Sequence, residues 1–248
     1  MRYILLIAYD GLTYHGWQIQ KHCRTIAGTI RAAFKESFHV DVRLVGASRT
    51  DTGVHALGQI ALVEMPLAIE CSVLKKTING RLPNNIVVRR VGVAPEDFHP
   101  LRGVTSKTYF YHFFCEQPLP FIARYGTWFK HPLSIEHIRK GLTIFKGTHD
   151  FRSFCTDPQV DSTVRTIDEI RVDYLKWIRT YRIIVQGKGF LHHMIRRILG
   201  AVFYAALYDK DHDVLVRALE ERNPYQKLPI AKAHGLLLRR IRYERLLW

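Results

Sequence analysis

Apolar runs of strand length alternate with helical stripes along the whole chain. Ile4-Leu-Leu-Ile-Ala-Tyr9 is a short apolar run stopped by Asp10-Gly11, which predicts a buried strand over residues 4–9. Residues 25–38 follow a different period: Ile26, Ile30, Ala33 and Phe34 share one face and Thr25 can cap, so a helix is expected. Strand patterns at 42–45 and 59–64 flank a polar turn. A short helix over 71–79 ends at Gly80 and Pro83, and 86–93 reads as another strand. Residues 105–115 predict a long strand with Lys107, Tyr109, Tyr111 and Phe113 on one face and Phe110, His112 and Phe114 on the other. Ile135, Ile138, Leu142 and Phe145 repeat at helical spacing over 134–146, and 164–174 with 177–186 predict a hairpin. Helices over 191–208 and 212–221 and a strand over 236–243 complete the pattern. Pro, Gly and charged residues interrupt the periodicity at 95–105. The expectation is therefore an α/β (α+β) protein of two similar sub-domains, residues 1–104 and 105–248.

Composition narrows the class. Lys and Arg number 37 against 22 Asp and Glu in 248 residues, a net charge of +15, which points to a polyanionic partner. No apolar run is long enough to cross a bilayer and the first residues read as a strand rather than a signal peptide, so nucleic acid is favoured over a membrane. Cys23, Cys71, Cys115 and Cys155 form no CxxC pair, which argues against zinc and fits a reducing, cytoplasmic setting.

Candidate chemistry concentrates at Ala47-Ser-Arg-Thr-Asp-Thr-Gly-Val-His-Ala-Leu-Gly-Gln59, which sets Asp51 between Arg49 and a turn glycine, Gly53. In so basic a protein a loop carboxylate is poorly placed to bind a polyanion and well placed to do chemistry on one. A cap for neighbouring N–H groups is the competing role, and local rules favour it. In Gly189-Phe-Leu-His-His-Met-Ile-Arg-Arg-Ile-Leu-Gly200, Arg196 lies beside an apolar stripe and calls for an acidic partner, whereas Arg197 reads as a solvated residue. His192 and His193, as helical neighbours, point apart and cannot share a metal. Tyr109 and Tyr111, interleaved with Lys107, suit either base stacking or core packing, and periodicity does not choose between them. Gly187-Lys188-Gly189 lacks the glycines of a dinucleotide loop, and Asp150, Asp168 and Glu169 form no glycosidase pair.

Ser48-Arg-Thr-Asp-Thr-Gly-Val-His-Ala56 closely resembles the signature of the tRNA pseudouridine synthase A family, Arg-Thr-Asp-x-Gly-Val-His-Ala. The segments 9–20, 106–111, 147–155, 189–200 and 233–236 resemble further family motifs in the same order. The resemblance implies a pseudouridine synthase fold, two α/β sub-domains around a mixed, largely antiparallel central sheet. The first would carry the catalytic loop and the second complete the cleft. It further implies an isomerase that converts uridine to pseudouridine at positions 38, 39 and 40 in the anticodon stem-loop of tRNA, working as a homodimer without metal or cofactor. Asp51 corresponds to the catalytic aspartate, Tyr109 to the tyrosine that stacks on the target base, Arg49 to the arginine that helps flip the nucleotide and hold its place, and Arg196 to the basic partner of the aspartate.

Whether the carboxylate attacks the sugar or the base, or removes a sugar proton, is left open by the residues. Four positions depart from the pattern: Thr52 for Ala, Lys107 for Arg, Leu101 in the stretch before Arg102, and Lys232 for Pro. Two alternatives remain: a synthase acting on another structured RNA, and a non-catalytic tRNA-binding or tRNA-folding protein.

Overall fold

The computed structural model describes residues 1–157, 159–245 and 247. In chain order its strands and helices are β1 (Arg2–Tyr9), α1 (Ile26–Phe38), β2 (Arg43–Gly46), β3 (His55–Glu64), α2 (Cys71–Arg81), β4 (Ile86–Val93), β5 (Val104–Phe114) and β6 (Thr127–Trp128). There follow α3 (Ile135–Thr143), β7 (Gly147–Asp150), β8 (Val164–Ile167), β9 (Glu169–Leu175), β10 (Thr180–Gly187), α4 (Met194–Leu207), α5 (Asp213–Glu220) and β11 (Leu236–Tyr243). The architecture is mixed α/β, as the pattern of the chain predicts, with the largely antiparallel strand pairing that the family resemblance implies. Two compact units divide it: Met1–Thr105 with the stretch from Leu237, and Ser106–Leu236.

In the first unit β1 lies between β4 and β3, antiparallel to both. The long β3 also pairs antiparallel with β2 at its far end and parallel with β11 at its start, Leu237 opposite His55. This second pairing explains why β3 begins at His55, four residues before its apolar pattern. Gly58 lets the β11 backbone approach, since a Cβ there would lie 2.5 Å from the Arg239 carbonyl oxygen. Helix α1 starts where Thr25 Oγ1 accepts the Gly28 N–H at 3.2 Å and stops at His39, whose φ of 56° leaves the helix. Its apolar face, Ile26, Ile30, Ala33 and Phe34, is buried. Burying side chains such as Ile30 and Phe34 contributes about 1.5–3 kcal/mol each.

In the second unit β10 runs antiparallel to both β5 and β9, and the short β6 lies parallel to β5. The single strand expected over 164–174 is instead two. β8 pairs with β7 in a separate small sheet, while β9 makes the expected hairpin with β10. The break falls at Asp168, whose N–H donates to the Gln186 carbonyl at 2.8 Å. Gly187 makes room for it, because a Cβ there would meet the Thr166 carbonyl oxygen at 2.4 Å. β6 and β7 are too short to leave a periodic signature. Helix α4 packs near residues 229–231, and a Cβ on Gly200 would meet the Pro229 carbonyl oxygen at 2.1 Å.

Candidate active site

Asp51 and Arg49 lie on one loop of the first unit, between β2 and β3; Tyr109 and Arg196 belong to the second. Main-chain ties hold the loop on every side of Asp51. The Ala47 N–H donates to the Ile60 carbonyl at 2.8 Å, and the Trp17 N–H donates to the Thr50 carbonyl at 3.0 Å. The Val54 N–H reaches the Asp51 carbonyl at 3.1 Å, and the Thr50 and Tyr9 hydroxyls meet at 2.7 Å. Gly53 turns the backbone at φ 79°. Gly16, at φ 80°, brings the loop after β1 so close that a Cβ would lie 2.5 Å from the Thr50 carbonyl oxygen. At the start of the loop, Ser48 is held by the side chain of Gln59. Oε1 accepts the Ser48 N–H at 3.1 Å and Nε2 donates to the Ser48 carbonyl at 2.6 Å. Each such buried group left unmade would cost about 1–3 kcal/mol.

The loop is thus shaped by backbone bonds, and in the Val54 bond the half-buried Asp51 uses its main-chain carbonyl. Arg49 is exposed. Local sequence rules assign no role to Gln59 or Gly16. A glutamine at the head of the apolar run Ile60–Val63 is the available signal, since buried polar side chains require partners.

In the second unit the two tyrosines that share a face of β5 separate in environment. Tyr111 is fully buried, its hydroxyl bonded to Thr127 Oγ1 at 2.8 Å and its ring against Phe203. Burial pushes its pKa up to about 12, against the bond to Thr127 and the nearby Arg196 charge. Gly235 admits this ring, since a Cβ there would lie 2.6 Å from Tyr111 Cζ. Tyr109 is 7 % exposed and meets the edge of Phe190 at 5.5 Å between centroids, with the rings nearly perpendicular. Both rings are buried, that of Tyr111 completely.

Arg196 is half-buried on α4; its Nε donates to the Ala231 carbonyl at 2.9 Å, and its own carbonyl accepts the Ala231 N–H at 2.9 Å. Two expectations about its neighbours are corrected. Arg197 is not a solvated residue: its Nη1 donates to the Ser153 carbonyl at 2.9 Å, and burial draws its pKa below the ordinary guanidinium value. His192 and His193 do not point apart, because α4 starts only at Met194 and His193 caps it in the left-handed region, φ 61°. Their rings stack at 3.9 Å, with both Nδ1 atoms directed at Thr156 Oγ1, at 2.7 and 3.0 Å. One hydroxyl hydrogen cannot serve both, so at least one of these rings carries its hydrogen on Nδ1.

Lys107, at the start of the face that carries Tyr109, is largely withdrawn from water, which lowers its pKa to about 8. Its value in an unfolded chain is near 10.5, so the folded state disfavours the charged amine. That penalty is complete below pH 8 and fades as pH rises toward 10.5. Lys107→Met is therefore expected to gain relative stability at neutral pH. Its advantage over the parent at pH 7 should exceed that at pH 10 by about 2 kcal/mol. Urea unfolding of both proteins at the two pH values measures this, and an equal difference at both would refute it.

The family model described as tRNA pseudouridine synthase matches residues 5–100 and 142–244. The chain belongs to that family, in its tRNA pseudouridine synthase A branch. It is 34 % identical over 239 residues to the tRNA pseudouridine synthase A of Pseudothermotoga lettingae, covering 96 % of this chain and 97 % of the relative. The enzyme of the same name from Ruminiclostridium cellulolyticum is 36 % identical over 244 residues, covering 96 % and 98 %. That from Chlamydia pneumoniae is 35 % identical over 247 residues, covering 97 % and 91 %. A solved H/ACA RNP with a substrate RNA containing 2'-deoxyuridine aligns with 81 % of this chain and only 43 % of its own, at TM-score 0.34 and 11 % identity. So slight a likeness carries no weight.

Proposed function

We propose that this protein isomerises uridine to pseudouridine in the anticodon stem-loop of tRNA, at positions 38, 39 and 40, with Asp51 as the reacting carboxylate. The observation that supports this most is the end-to-end similarity to relatives named tRNA pseudouridine synthase A. The net charge of +15 suits the polyanion.

The reaction breaks the glycosidic bond from N1 to the sugar and joins the sugar to C5. The C5 hydrogen leaves as a proton and N1 gains one, so no electrons are exchanged. Asp51 acts by attacking the sugar or the base, or by taking a sugar proton. A uridine in a stem must first be extruded, at a cost of a few kcal/mol. Stacking on Tyr109 offsets part of that cost, and Arg49 keeps the flipped nucleotide's place. Arg196 supplies the cation that favours the ionised carboxylate.

The test is to incubate the purified protein with unmodified tRNA transcripts and map pseudouridine by base-resolved chemistry. Product at 38–40 is expected, and Arg49→Ala and Arg196→Met should each lower its yield. Absence of any product would leave a non-catalytic tRNA binder. Product confined to sites outside the anticodon arm, or to another RNA, would overturn the substrate.

A further inference from the structure

The Gln59 side chain is completely buried in β3, opposite Ile7 of β1. It presents a carbonyl and an NH2 group side by side, and both are spent on the two main-chain groups of one residue, Ser48. A side-chain amide here takes the place of a neighbouring strand. It extends the pairing of β3 with β2, which ends at Gly46 opposite Ala61, into the beginning of the loop that carries Asp51. Only two residues separate Ser48 from Asp51. The later ties, Trp17 to Thr50 and Val54 to Asp51, close the loop from its other side.

We infer that Gln59 is a positioning residue: it fixes the direction in which the chain leaves β2 and so aims the Asp51 carboxylate, without itself touching substrate. The inference rests on Asp51 being the reacting group. Glutamine alone among the uncharged side chains of this length offers donor and acceptor together. Gln59→Glu keeps the length but sets a carboxylate oxygen against the Ser48 carbonyl. Gln59→Met keeps the approximate volume and removes both partners. The ties at Thr50 and Val54 do not involve Gln59, so either variant is expected to keep the loop with its entry loosened.

Steady-state kinetics on tRNA, well below the melting temperature of each variant, should show kcat reduced about 10- to 100-fold with KM within about twofold, the signature of a displaced reacting group. Hydrogen exchange in the unaltered protein gives a reading independent of any variant's folding. The Ser48 amide should be protected to the level of the β3 amides, and in Gln59→Met that protection should be lost while β1 and β4 keep theirs. A Ser48 amide that exchanges like an open loop in the parent overturns the inference. So does a kcat within twofold of the parent in both variants, or a loss seen only as a smaller folded fraction. Asp51→Asn, run alongside, separates the two ideas. If it is inactive while the Gln59 variants match the parent, the positioning role alone falls; if it remains active, the reading of Asp51 falls first.

Discussion

Asp51→Asn is expected to bind tRNA as the parent does and to form no measurable pseudouridine. The substitution is nearly isosteric, and bonds from the main chain and from Gln59, Thr50 and Tyr9 hold the loop. The loop should therefore keep its shape. What disappears is the charge and the nucleophilic or basic oxygen, and losses of about four orders of magnitude or more are usual when a reacting group is removed. Affinity for tRNA comes mainly from phosphate neutralisation, which one neutralised carboxylate leaves intact or slightly improves. Single-turnover product mapping and filter binding read the two effects separately. Product formed at even a tenth of the parent rate would remove Asp51 from the chemistry.

The second large effect is expected at Tyr109. Tyr109→Leu should weaken binding of tRNA carrying an unpaired target uridine by the equivalent of about 1–3 kcal/mol, the usual worth of one base stacked on an aromatic ring. Tyr109→Phe should stay close to the parent. Because Tyr109 is only 7 % exposed and braced by Phe190, Leu also leaves a gap beside that ring, so unfolding of both variants must be measured with the binding. Stacking predicts that the Leu variant's loss persists in affinities corrected for folded fraction. Equal affinities for Phe and Leu would assign Tyr109 to the core with Tyr111.

Much of the fold was legible because strand and helix periods differ. α1 and the hairpin of β9 with β10 follow directly from their apolar spacing and caps. Positions set by backbone approach were not. Nothing in residues 164–174 announces the break at Asp168, which depends on Gly187, some twenty residues later. The directions of His192 and His193 have the same origin: the apolar spacing runs on two residues beyond His193, whose left-handed backbone bounds the helix at its start. At the candidate site, Asp51 and its turn could be found in the sequence because Gly53 marks the reversal. The long-range partners that shape it, Gln59, Gly16 and Tyr9, carry no local pattern that names Ser48 or Thr50 as their counterpart. Resemblance, not periodicity, separates Tyr109 from Tyr111; the structure adds that the Tyr111 hydroxyl is tied to Thr127.

The parallel pairing of β11 with β3 also dictates an order of assembly. Residues Ser106–Leu236 form one uninterrupted unit, whereas the first unit needs Leu237 against His55, partners separated in the chain by the whole second unit. On the ribosome, therefore, the β3 edge beside the Asp51 loop stays open until the second unit has emerged. The loop that carries Asp51 is bounded by one of the last strand pairings the nascent chain can make.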